Sequence, residues 1–512
     1  MRRIVLVVLA VALAAAAVVV GVRAAASPLE AGPNRLVNVE KPIDAHNSPT
    51  LAANPRQPDN VALTYRVDRP AFSAVLEWST DGGKSWKPTA LPLPQGIDRP
   101  FAPDVAFGPD GTLYVTYVNL VGDGNVPDNL WLARSTDGGR SLSAPVRVAG
   151  RYTFGARLAV GPDGTIHVTW LQADEVGFLR LAGDPAPIVA TRSTDGGRTF
   201  SAPVPVSDPS RTRVATPSPV IDSRGDLVVL YQDFKEDRRD FEFLEGPPWD
   251  EPFALVLTRS TDGGQTFSPG TEVDAGVLPD KRILVFLAEF PAIAAGPDDR
   301  LYVSWADARN GDEDVFLRTS SDGGVTWSEV TRVNDNPTGD GTSQYMPRVA
   351  VAPSGRIDVL YLDRRDDPDD VMTETSLAQS TDGGRTFDHV TVSSEAFDST
   401  VGPFVEARLP IDFGSRIALL SSNDETLAAW TDSRYGDEGT GRQDILAAQV
   451  AERRSGPLAW VLVATLGLLA VLAAIGALES GRRGGRRGKL GGDGPGAGPA
   501  TTESAGPRAT VT

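Results

Sequence analysis

The chain of 512 residues contains no cysteine. A disulfide framework, a thiolate metal site and a thiol nucleophile are therefore excluded. Histidine is scarce, with only His46, His167 and His389. That is too few for a His-rich metal centre, and each is expected at a surface or turn position. Positive charge is in deficit: 49 Lys and Arg stand against 67 Asp and Glu. Between residues 27 and 450 the imbalance reaches about −25. Nucleic acid is disfavoured as a partner, because phosphate contacts need clustered Lys and Arg.

Long apolar runs are missing from the body of the chain and confined to its ends. Residues 1–26 carry Arg2 and Arg3, an apolar run, and Ala24-Ala25-Ala26. This is the pattern of a signal peptide, with an uncleaved anchor as the alternative. Residues 457–478 enclose "LAWVLVATLGLLAVLAAIGAL", uncharged and long enough to span a bilayer, with a buried core helix as the alternative. Arg482, Arg483, Arg486, Arg487 and Lys489 follow, so that side is expected to be cytoplasmic. Residues 479–512 are rich in Gly, Pro, Ala and Thr and are expected to be a disordered cytoplasmic tail. The expectation is a single-pass protein of the cell membrane, with residues 27–455 as an extracytoplasmic domain.

What that domain has in abundance is a repeated loop. "STDGGRTF" at residues 193–200 recurs, with variations, from residues 79, 135, 260, 320 and 380. The period is too long for helical hairpins and suits four-stranded propeller blades. Upstream of each loop lies a pair of alternating apolar runs around a turn, as in "RLAVGPDGTIHVTW" at residues 157–170. Pro-Asp-Gly between such runs marks a hairpin. Each unit therefore contains strands A to D, with the glycine-paired loop between C and D.

Seven A–B pairs are present, against six loops. The seventh unit lacks a strand D, while "RLVNVEKP" at residues 35–42 resembles one. The expected fold is all-β: a propeller of seven four-stranded blades, closed by the N-terminal strand, plus one C-terminal transmembrane helix. Six blades with an irregular seventh sheet is the alternative.

Within the loop, Asp accepts backbone N–H groups, glycines allow positive φ, and the last aromatic enters the blade. None of this requires a substrate. The loops resemble the Asp-boxes, or BNR repeats, of the sialidase (neuraminidase) superfamily over roughly residues 35–450. The resemblance implies that Asp81, Asp137, Asp195, Asp262, Asp322 and Asp382 are structural and peripheral. It implies a glycan or glycoconjugate as partner, and an exo-alpha-sialidase type of glycosidase if the chain is an enzyme. The family uses an arginine triad, a tyrosine nucleophile with a glutamate, and an aspartate. Its first arginine sits in a Phe/Tyr-Arg-Ile-Pro motif. This chain has no such motif; residues 37–86 offer Arg56, Arg66 and Arg69.

Aligning the A strands on their turns gives one equivalent position per blade: Thr50, Asp104, Arg157, Ser218, Ala292, Arg348 and Arg416. Loops converge at that end of a propeller. Arg157, Arg348 and Arg416 are candidates to bind a substrate carboxylate. Three residues upstream in neighbouring units lie Glu289 and Tyr345. With Asp104 they form the candidate catalytic set of nucleophile, base and acid. The alternatives are arginines paired with acidic loops and a Tyr345 that only packs. A further alternative is a non-catalytic propeller that binds an envelope glycan or a partner protein. No cofactor is required. Aromatic-x-Asp-x-Arg at the ends of three B strands reads as an inter-blade brace, or else as part of acidic loops that hold calcium.

Overall fold

The computed structural model describes residues 29–38, 43–122, 125–173, 186–235, 252–278, 291–403 and 413–453. The expected signal peptide, transmembrane helix, tail and Glu289 lie outside them. Among the described residues no helix is long and apolar enough to cross a membrane.

The described residues form seven antiparallel sheets. The innermost strands, lettered A, are Ala45–Asn54, Pro100–Phe107, Thr153–Val160, Val214–Ile221, Ala292–Ala295, Gln344–Val351 and Ala418–Ser421. Strands B and C follow in order outward, and D lies at the edge in blades one to six. Apart from Thr271–Val277 in blade four, the D strands are short, as Val204–Pro205 illustrates. Proline has no N–H for a ladder and fits an edge. Blade seven has Glu425–Asp432 and Asp444–Glu452 as B and C. Its outer position is filled by Leu29–Ala31 and Arg35–Leu36, both paired with Asp444–Glu452. Seven blades and N-terminal closure therefore hold, and the ring has no open blade edge there.

Alternation along the B strands places large apolar side chains between blades. Trp170, Tyr231, Tyr361 and Trp430 are fully buried. Each blade packs on its neighbour through a separate apolar cluster, as Leu227 and Tyr231 pack with Ile188 and Val206.

The glycine-paired loops latch these blades together. In the third, Ser193 Oγ donates to Asp195 Oδ1 at 2.8 Å and accepts the Gly197 N–H at 2.9 Å. Asp195 also accepts the Thr199 hydroxyl and the Arg198 and Thr199 N–H groups. Those Thr199 bonds, then Ser193, hold the Asp195 carboxyl well below the usual range. The carbonyl of the first glycine accepts a bond from the preceding blade: Gln449 to Gly82, Asn60 to Gly138, Arg134 to Gly196, Arg192 to Gly263 and Arg259 to Gly323. The second glycine lies against that blade too. A Cβ on Gly197 would stand 2.7 Å from Leu132 Cδ2.

The aromatic-x-Asp-x-Arg segments are braces. Arg309 grips Asp307 through Nε and Nη2 and reaches Asp274 of blade four at 3.1 Å. Arg365 joins Asp363 to Asp335 of blade five, and Arg434 joins Asp432 to Glu395 of blade six. Among the described residues no group of three or more His, Asp and Glu has a metal-holding arrangement.

Two histidines differ from the sequence expectation. His46 and His167 are buried at 3% exposure. His46 meets Tyr65 edge-on at 5.3 Å, and His167 faces the second glycine of the blade-four loop. An imidazole is apolar enough on its faces to fill such a gap.

Candidate functional site

The site is built by a defect that repeats around the ring. In blade one, Asn47 pairs with Arg66 and Thr50 with Thr64, so Ser48 and Pro49 together oppose Tyr65 alone. The same two-against-one bulge opposes Tyr117, Trp170, Tyr231 and Tyr361 in blades two, three, four and six. The first bulged residue is left-handed each time: Ser48 (φ 56°), Ala102 (47°), Gly155 (59°), Thr216 (54°) and Met346 (54°). Gly414 (85°) holds the matching place in blade seven. Left-handed backbone is costly for Ser, Ala and Met, and more so for β-branched Thr. Strain of this kind persists where the surrounding structure imposes it, and it clusters at functional sites.

Each bulge re-aims the residue that follows it. Thr50, Asp104, Arg157, Ser218, Arg348 and Arg416 consequently line one axial chamber. All seven blades contribute, blade five through Ile293. The structure thus brings together three sequence-selected arginines and Asp104. Ala292, the equivalent residue of blade five, is packed between blades instead.

Charge in the chamber is unbalanced. Asp104 and Arg157 are 4% and 6% exposed, with Nη1 to Oδ1 at 3.5 Å. Asp104 Oδ2 accepts the Leu158 N–H at 2.8 Å, which ties blade two to blade three. Arg416 of blade seven donates to the Pro103 carbonyl of blade two at 2.8 Å. Arg348 is partly accessible through the chamber, and among the described residues no hydrogen bond or ion pair holds its guanidinium. Burial, then the Arg157 charge, pushes Arg348 down to about 10, with Asp104 opposing. Burial and Arg157 likewise lower Arg416. Arg348 therefore remains cationic at neutral pH. One carboxylate against three guanidiniums is an arrangement that favours an incoming anion.

A second cavity shares Arg416 with the chamber and lies on the bulge side of it. Its walls include Arg66, Phe101, Phe154, Thr153 and Thr216. Arg66 is 5% exposed, ion-paired with Asp68 at 2.9 Å, and stacked 5.5 Å from the Phe101 centroid. Phe72 meets Phe101 edge-on at 5.2 Å.

Tyr345 lines neither cavity. It sits in the core between blades six and seven at 8% exposure. Arg364 stacks on its ring at 4.6 Å, and its hydroxyl accepts from Arg364 Nη2 at 3.3 Å. The Tyr345 hydroxyl also meets Thr373 Oγ1 at 3.3 Å. The structure therefore does not join Tyr345 to Asp104 and the arginines, and Glu289 lies outside the described residues. Phe101 and Phe154 occupy the position that Tyr345 holds in blade six, three residues before the ring. Sequence reasoning weighed only titratable residues there and missed both. For Phe101 a signal was available, since proline follows the left-handed residue in Ser48-Pro49, Ala102-Pro103, Thr216-Pro217 and Met346-Pro347; Phe154 precedes Gly155-Ala156 and carried none.

No protein-family model matches the chain. No curated protein matches it either. Solved structures similar to it include a Hadza microbial sialidase at 17% identity and TM-score 0.44, covering 78% of this chain and 75% of that one. A polysaccharide lyase, an ulvan lyase, is 13% identical with TM-score 0.46, covering 80% and 95%. A protein of unknown function from Dyadobacter fermentans is 14% identical with TM-score 0.47, covering 83% and 100%. The similarity is one of fold, the β-propeller.

Proposed function

We propose that the propeller binds the acidic unit of a glycan at its axis, with Arg157, Arg348 and Arg416 receiving the carboxylate. The observation that carries this reading is the chamber itself, where three guanidiniums face one carboxylate. Bidentate recognition of a carboxylate is the chemistry such a cluster favours. The binding form is better supported than the exo-alpha-sialidase form. Hydrolysis through a tyrosyl intermediate needs a free nucleophile, whereas the Tyr345 hydroxyl is engaged by Arg364 and Thr373. Asp104 is engaged as well, by Arg157 and the Leu158 N–H.

The detergent-solubilised full chain is expected to bind 3′-sialyllactose or a hyaluronan tetrasaccharide, and not lactose, in calorimetric titration. Arg348→Met is expected to abolish that binding. Equal binding of lactose would overturn the reading, and turnover of a fluorogenic sialoside would restore the hydrolytic one. The same proposal places the propeller outside the cytoplasm, anchored by residues 457–478. Its check is retention of the chain in carbonate-washed membranes together with protease access to the propeller from outside the cell.

A further inference from the structure

We propose that the cavity above the arginine ring is a second sugar subsite, which takes the neutral unit joined to the acidic one. The preferred ligand is then an acid-bearing oligosaccharide rather than a free acidic monosaccharide. This rests on the ring being a carboxylate site.

The two cavities meet at Arg416, so a ligand whose acid group reaches the ring from that side extends into the upper space. That space has the character of a stacking surface. Phe101 and Phe154 are half-buried and face it from neighbouring blades. The C–H face of a pyranose carries partial positive charge and suits the negative face of a phenyl ring. Phe101 is already fixed, by Arg66 on one side and Phe72 at its edge. Little side-chain entropy is left to lose there on binding.

Electrostatics selects a neutral unit. Arg66 spends its charge on Asp68, which also accepts Asn47 Nδ2 at 2.8 Å. The hydroxyls on the wall are engaged too. Thr153 donates to the Gly150 carbonyl, Thr216 pairs with Gln232, and Ser48 accepts the Ser415 N–H. The excess of guanidinium over carboxylate therefore lies below, at the ring, and apolar contact above. The bulges explain why the two layers are adjacent. The residue three before each ring position faces the upper space in blades two and three, and the residue after the bulge faces the axis.

Calorimetric titration of the detergent-solubilised full chain tests this with two matched pairs of probes. The first pair is N-acetylneuraminic acid and 3′-sialyllactose; the second is glucuronic acid and a hyaluronan tetrasaccharide. In at least one pair the oligosaccharide is expected to bind about ten-fold tighter than the free acid. Phe101→Ala and Phe154→Ala are expected to bring the two within about two-fold while the free acid keeps its affinity. Phe101→Leu, which retains bulk, controls for folding, with melting temperature measured on every variant. Equal affinity of free acid and oligosaccharide, or an unchanged preference in Phe101→Ala, would overturn the subsite and leave the ring reading intact. Failure of all four probes to bind would overturn the ring reading and the subsite with it.

Discussion

The Asp104 carboxylate stands 3.5 Å from Arg157, and it is the one acidic side chain among the described residues that line the chamber. Its loss would leave Arg157, Arg348 and Arg416 with no carboxylate among the chamber's described lining. Asp104→Ala is expected to destabilise the fold by about 3–5 kcal/mol, the range for breaking a buried pair. Arg157→Met in the same chain should recover much of that. A double-mutant cycle by urea unfolding reads the coupling directly. Additive effects of the two changes would show that the pair is not coupled.

Arg348 makes the opposite prediction. It brings charge into the chamber without a hydrogen bond or ion pair among the described residues. Arg348→Met keeps the bulk and removes the repulsion from Arg157 and Arg416. Stability is expected to rise by about 1–3 kcal/mol while acidic glycan binding is lost. Thermal unfolding of both proteins at equal salt checks it. A fall in melting temperature would mean that Arg348 supports the fold.

His167 gives the fold a pH dependence whose sign can be worked out. Burial pushes it down to about 4, with Asp163 opposing. The unfolded imidazole titrates at about 6.5. Between those values the unfolded chain binds a proton that the folded chain refuses. Stability therefore rises with pH across that window and is lost on acidification through it, by at most about 3 kcal/mol. His167→Gln is expected to flatten the difference in unfolding free energy between pH 4 and pH 7. Parallel profiles for the two proteins would remove His167 as the cause.

The loop glycines separate conformational strain from inter-blade contact. Gly383 and Gly197 both have positive φ, 84° and 78°. A Cβ on Gly383 meets nothing within 4 Å, whereas one on Gly197 presses on the buried Leu132. Gly383→Ala should cost about 1–2 kcal/mol from backbone strain. Gly197→Ala should cost a further 1–3 kcal/mol or so from overpacking. Chemical denaturation of the two variants decides. Equal losses would show that the second glycine acts within its own blade and does not latch it to the preceding one.

The propeller was legible in the sequence because its signals are local and repeated. A loop such as Ser193 to Phe200 carries its own hydrogen bonds and is recognisable wherever it falls. The ring position was legible for the same reason: a turn a fixed number of residues downstream sets the register of each A strand. Tyr345 was not, because its orientation is decided by Arg364, which lies across the hairpin and follows no repeat. Phe101 and Phe154 were hidden differently. Apolar residues at the start of a strand read as core, and only the bulge beside them turns their rings toward a cavity. His167 was misjudged because a strand B position next to a glycine of another blade looks like any polar alternation.

Ring closure rests on few residues and gives the sharpest test of the architecture. Asn38 is 4% exposed. Its Oδ1 accepts the Ile445 N–H at 2.7 Å, and its Nδ2 donates to Asp444 Oδ1 at 2.9 Å. Both partners belong to the last strand C, so one side chain joins the N-terminal segment to the end of the propeller. Asn38→Ala strands a buried N–H and part of a buried carboxylate at once. The expected cost is about 2–3 kcal/mol. If the N-terminal segment is what shuts the ring, proteolysis of Asn38→Ala under native conditions should cut first in blade seven. Cleavage spread evenly over all blades would mean that closure does not depend on this joint.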